Sequence, residues 1–147
     1  MVRSQGASKV RIHTRKVGAA MTAVAAAVSG MVLAGAPAAA AGSISIEVGA
    51  SYYKGTPTWS NRSVSIDGSF KATGCRRVYA RAWAGTSSLD FKSTSTWCNR
   101  SGAADFALSA NVAGGSDYIW VYMTDENQNF LEGQTCYRSG SCVDGLH

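Results

Sequence analysis

The sequence predicts an all-β protein: an immunoglobulin-like β-sandwich of about seven to eight short antiparallel strands with two disulfides, after a cleaved signal peptide. Three observations carry that reading. Apolar and small or polar residues alternate with period two through most of the chain beyond residue 42. Turn residues interrupt these runs at intervals of about ten residues. Four cysteines all follow an N-terminal stretch shaped like a secretory leader.

The leader comes first. Residues 1–16 carry Arg3, Lys9, Arg11, Arg15 and Lys16 and no acid; residues 17–36 are rich in Ala and Val; Pro37 and Ala38-Ala39-Ala40-Ala41-Gly42 follow. A basic start, an apolar middle and a small-residue exit make a signal peptide. A single transmembrane anchor is the competing reading. Gly18, Ser29, Gly30 and Gly35 interrupt the apolar run, and it is nearly free of Leu and Ile, which weakens it as a span. Lys16 follows Arg15, so there is no Arg-Arg pair, and the general secretory route is expected over twin-arginine export. The sequence thus predicts a signal peptide over 1–41 and a single β-sandwich domain over 42–147. The product is expected to be secreted to the extracellular space and not membrane-embedded after cleavage.

Cleavage changes the charge. The whole chain carries 14 basic and 9 acidic residues, a net charge of +5. Five of the basic residues leave with the leader, and the nine that remain balance nine acids, all of which lie beyond residue 42. A neutral product lacks the electrostatic footprint of a polyanion-binding protein, and no nucleic-acid partner is expected.

An even cysteine count in a small exported domain reads as two disulfides. Of the three possible connectivities the sequence-local one is favoured, Cys75–Cys98 and Cys136–Cys142. Tyr137-Arg138-Ser139-Gly140-Ser141 forms a tight turn that brings the second pair into bridging range. A metal site would need clustered His or Cys ligands. The only histidine beyond the leader is His147, and no metal or other cofactor is expected.

The elements follow in order. Ile44, Ile46 and Val48 alternate with Ser45 and Glu47. Val64, Ile66 and Phe70 share a parity, with Gly68 between them as a possible bulge. Val78, Ala80, Ala82 and Ala84 alternate with Arg77, Tyr79, Arg81 and Trp83. Leu89 and Phe91 mark a shorter strand, residues 94–98 another. Residues 103–110 read as a short helix by propensity, but Phe106, Leu108, Ala110 and Val112 share a strand parity, which favours strand. Ile119, Val121 and Met123 alternate with Tyr118, Trp120, Tyr122 and Thr124, and residues 130–137 close the series. Turns are expected at Gly55-Thr56-Pro57, Asp67-Gly68, Gly85-Thr86-Ser87-Ser88, Ser101-Gly102, Gly114-Gly115-Ser116 and Asp125-Glu126-Asn127.

No enzyme is expected. A Ser-His-Asp or Cys-His site needs a held imidazole, which a terminal histidine does not supply. The cysteines are expected to be bridged, and no phosphate-binding, dinucleotide or zinc-protease motif is present. Asp125 and Glu126, the adjacent carboxylates, fall in a turn and read as a solvated loop. Trp59 and Trp97 are expected to be structural.

The informative feature is aromatic. All fourteen Phe, Trp and Tyr residues lie beyond the leader. Two strands put rings on one parity and small or aliphatic residues on the other. If the aliphatic faces form the core, Arg77, Tyr79, Arg81, Trp83, Tyr118, Trp120 and Tyr122 make an outward binding surface. Such residue types dominate interface hot spots and suit cation–π pairing. The competing reading packs the rings inside, with the alanine face outside or against a second sheet. The segment 42–48 is read as an edge strand, or as a strand donated to another protein's sheet.

Size, Ala-rich leader, all-β pattern and two short-loop disulfides together resemble small secreted actinomycete proteins. One such group is the chromoprotein apoproteins, which hold an enediyne in a sandwich cleft. The immunoglobulin-like adaptor subunits of secreted bacterial toxin particles are similar at the level of class. No site residue is carried over from either. The expected function is that of a non-enzymatic adaptor, toxin-complex component, effector or inhibitor that binds a protein partner; the alternative is a carbohydrate- or small-ligand-binding module. A hydrolase using two carboxylates ranks third.

Overall fold

The structure, a computed structural model, describes residues 42–145. The signal peptide expected over 1–41 and His147 lie outside the described residues. Nine strands are present among those described: β1 (Ile44–Val48), β2 (Ser51–Trp59), β3 (Ser63–Ala84), β4 (Ser87–Ser93), β5 (Trp97–Ala103), β6 (Phe106–Ser109), β7 (Tyr118–Asp125), β8 (Phe130–Tyr137) and β9 (Cys142–Asp144). Every pairing is antiparallel.

One hydrogen-bonded sheet holds all nine strands, in place of the two separate sheets expected. The reason is β3. Its 22 residues join two runs that read as separate strands in the sequence. β2 pairs with its first half, Val64 to Lys71, and β7 with its second, Arg76 to Trp83. Along the opposite edge β6, β5 and β4 follow one another. β1 lies outside β2, with β8 and then β9 outside β7. The sheet curls until β1 meets β8, where the Ser45 backbone N–H donates to Gln134 Oε1 at 2.8 Å. The result approaches a barrel.

The bend is local. The register between β3 and β5 shifts between Ala72 and Cys75. Gly74 and Asn99 both have positive φ there, +72° and +47°, and Asn99 Oδ1 accepts from the Gly74 N–H at 2.9 Å. Gly and Asn are the residues that tolerate this conformation, so the bulge is written in the residue types. The Cys75–Cys98 disulfide staples β3 to β5 directly beside it. The Cys136–Cys142 disulfide joins β8 to β9. Both pairings are those expected, and no described cysteine is free. Two structural disulfides indicate an oxidising compartment. No helix among the described residues is long and apolar enough to cross a membrane.

The core lies on the inner face. Val64, Ile66, Phe70, Ala72, Val78, Ala80 and Ala82 of β3 are buried, with Ile119, Val121 and Met123 of β7 and Ile44, Ile46 and Tyr53 of β1 and β2. Burial of each Val- or Ile-sized side chain contributes about 1.5–3 kcal/mol. Trp97 packs on Phe70, with ring centroids 4.9 Å apart, and Trp59 packs against the core. Phe106, Leu108 and Ala110 are buried as strand parity requires, but Val112 is exposed because β6 ends at Ser109.

Three expected turns are strand instead. Gly55, Thr56 and Pro57 lie in β2, Asp67 and Gly68 in β3, and Ser101 and Gly102 in β5. Pro57 is tolerated because β1 covers β2 only as far as Gly55, so its edge is free from Thr56 on. Residues 94–96, expected as strand, precede β5. The Gly85-Thr86 and Asp125-Glu126-Asn127 turns are present.

Tyr53 donates from its hydroxyl to the Ala104 carbonyl at 3.1 Å, and burial pushes its phenol far above the ordinary range, with Asp105 and Asp67 adding to the shift. Burial also raises the Tyr122 phenol, against the opposing pull of Arg81. Below about pH 10 these phenols are neutral in both folded and unfolded chains. Above it the unfolded chain loses protons that the folded one keeps, so stability is expected to fall as pH rises past about 10. Denaturant unfolding from pH 8 to 11 checks this, and Tyr53→Phe should flatten the slope. An unchanged slope would exclude Tyr53 as its source.

Candidate functional site: an aromatic and arginine face

Register decides which side chains meet on the outer side of β3 and β7. Tyr79 stands opposite Tyr122, Arg81 opposite Trp120, Trp83 opposite Tyr118, and Arg77 opposite Thr124. The intervening residues Val78, Ala80, Ala82, Ile119, Val121 and Met123 are all buried at 0% exposure. All seven predicted site residues therefore share one outward face, and the arrangement with rings in the core is not adopted. A shift of one residue would have reversed this.

The rings stack on one another. Tyr79 lies between Phe91 of β4 and Tyr122 of β7, with centroids 5.6 and 4.8 Å away and planes within 14° and 9° of parallel. Tyr122 continues onto Trp120 at 4.1 Å. Trp83 stacks on Tyr118 at 6.1 Å, which contacts Tyr137 at 5.9 Å. Offset stacking adds about 0.5–1.5 kcal/mol per pair beyond burial. It also hides ring faces, and Tyr79 is only 7% exposed although it points outward.

Phe91, Phe130 and Tyr137 belong to this face and were missed in the sequence. Phe91 faces Arg81 across β4, and Phe130 faces Thr124 across β8, where it lies 6.4 Å from Trp120. Their alternating runs are visible, but no local signal says which strands they will flank. Gly133 is another such residue. It sits opposite Tyr122, and a Cβ there would lie 2.9 Å from Tyr122 Cβ and 3.1 Å from Trp120 Nε1. The Trp120 indole thus occupies the space that any larger residue would fill.

The two arginines differ. Arg77 donates from Nε to the Thr94 carbonyl at 2.8 Å and from Nη2 to Ser93 Oγ at 2.7 Å, with its guanidinium 5.1 Å from the Tyr79 ring centre. Arg81 lies over Phe91 at 4.6 Å and Trp83 at 5.6 Å. Its Nε is buried without a hydrogen-bond partner. Among the described residues the ion pairs are Lys54–Glu47 and Lys92–Asp90, so neither arginine meets a carboxylate.

No family model, no curated protein and no solved structure matches this chain.

The alternatives to this face are weaker. A groove of about 550 Å³ runs beside β1, β2 and β3, lined by Ser43, Lys54, Asp67, Ser69 and Asp105 among others. It is open to solvent, and Lys54 is engaged by Glu47 at 2.7 Å. Asp125 accepts from the Asn127 and Asn129 backbone N–H groups and from Asn129 Nδ2, which together hold its carboxyl below the usual range. It is committed to its own turn. No group of three or more His, Cys, Asp or Glu among the described residues is placed to hold a metal ion.

Proposed function

We propose that this chain is a small secreted, non-enzymatic binding protein that engages a protein partner through the face of Arg77, Tyr79, Arg81, Trp83, Tyr118, Trp120 and Tyr122. In this reading the leader exports it, and the two halves of β3 carry the two layers of an immunoglobulin-like scaffold. It serves as an adaptor or subunit of a secreted assembly, or as an effector or inhibitor.

One observation carries the reading: seven Arg, Tyr and Trp side chains converge on one outward face whose reverse is the core. Rings locked by stacking lose little freedom on binding, and disulfides stiffen the scaffold beneath them. The stacking favours a protein over a sugar, because a sugar ring packs on an exposed ring face and Tyr79 is covered on both sides.

Immobilised disulfide-intact protein, exposed to the producing culture's medium, should retain a stoichiometric protein partner, and Trp120→Ser should reduce retention at least about tenfold. Equal retention by both would remove the face from the binding surface. Glycan-array binding abolished by Trp83→Ala, with no protein retained, would replace the protein partner with a carbohydrate.

A further inference from the structure

We infer that the partner of this face is an acidic protein surface, one of whose Asp or Glu carboxylates docks on Arg81. The inference rests on the face being the binding surface, and adds the chemistry of what it binds.

Arg81 is an anchor without a counter-ion. Phe91 and Trp83 hold its guanidinium by their ring faces at 4.6 and 5.6 Å. Among the described residues it has no hydrogen-bond acceptor and no ion-pair partner, and its Nε is buried. A guanidinium carries five N–H donors in a fixed fork; Nε alone is buried, so the Nη donors are the ones an incoming acceptor meets. A carboxylate satisfies two of them at once in bidentate geometry. Ring stacking keeps the fork ordered beforehand, so less freedom is lost when the anion arrives. Arg77 adds positive charge, but its Nε and Nη2 are already used on Thr94 and Ser93.

Charge also excludes other occupants. A second copy of the chain pairing this face on itself would add two more arginines to the interface and no carboxylate from the seven residues of the face. A polyanionic polysaccharide wants a row of free cations, whereas this face offers one unengaged guanidinium on a chain whose described residues balance nine bases with nine acids. Phe91 and Phe130, 42% and 45% exposed, flank the site. The fitting occupant is a carboxylate set among apolar side chains.

The test pans a random peptide library displayed on phage against wild type, Arg81→Gln, Arg81→Lys and Trp120→Ser, each checked for intact disulfides and unchanged circular dichroism. Wild type should select peptides carrying Asp or Glu beside apolar residues. Synthetic copies should bind Arg81→Gln about ten- to a hundredfold more weakly, with Arg81→Lys between the two. Changing the selected Glu to Gln in the peptide should cause a similar loss, and no further loss on Arg81→Gln, the non-additivity of a direct contact. Selected peptides that need Trp120, lack an acid and ignore Arg81→Gln would overturn the acidic anchor and leave the face standing. No selection, or peptides indifferent to every variant, would overturn both. A heparin-type sulfated oligosaccharide that binds wild type and not Arg81→Gln, without acidic peptides being selected, would reassign the anion to a polysaccharide.

Discussion

Replacing Cys75 and Cys98 together by serine is expected to lower the unfolding free energy by about 3.5 kcal/mol and the thermal midpoint by roughly 15–25 °C. The bridge closes a segment with a sequence separation of 23, whereas Cys136–Cys142 spans 6. Loop-closure entropy makes the shorter one worth about 2.4 kcal/mol. Position should widen the difference. Cys75 sits where β3 bends from one half of the sheet to the other, and losing its staple frees the bulge at Gly74 and Asn99. Thermal and denaturant unfolding of the two double-serine variants checks the order. If removing Cys136–Cys142 costs as much or more, chain-closure entropy does not govern this fold.

Gly68→Ala is expected to destabilise the protein by about 3 kcal/mol, the upper part of the range for overpacking a filled core. A Cβ at Gly68 would stand 2.3 Å from the Tyr53 hydroxyl oxygen and 2.8 Å from the Ala104 carbonyl oxygen. The Tyr53 ring is fully buried and held by its hydrogen bond to Ala104, so it has nowhere to retreat. Gly102→Ala is the control. Its Cβ would meet Trp97 at 3.6 Å, an ordinary contact on an exposed strand, and should change stability by less than about 0.5 kcal/mol. Chemical denaturation of both variants decides the matter; a cost at Gly68 similar to that at Gly102 would mean that the core there yields.

The Gly68 case shows how local reading misleads. Asp67-Gly68 carries the composition of a turn, yet it lies mid-strand because the glycine makes room for a tyrosine 15 residues earlier in the chain. The same holds for Gly133, whose missing side chain leaves space for Trp120. Both glycines answer to a neighbour across the sheet rather than to a turn. Pro57 lies within β2 for a related reason: a proline ends a strand only where its N–H is needed, and here the edge of β2 is free.

Alternation alone determined that the chain is all-β, because it rests on short-range geometry, and cysteine spacing favoured the pairing that the β3–β5 and β8–β9 ladders then brought together. Parity likewise selected the seven residues of the candidate face. Which parity faced outward was decided only in three dimensions. Continuity of β3 through the bend, and its register against β7, put Val78, Ala80 and Ala82 beside Ile119, Val121 and Met123 inside and left the rings outside. One curled sheet formed instead of two because β3 runs unbroken past the register shift at Gly74 and Asn99. Phe91 and Phe130 joined the face, and Arg81 went without a carboxylate, through pairings between strands distant in the chain. Such contacts depend on register, and register is a property of the folded sheet rather than of any one strand.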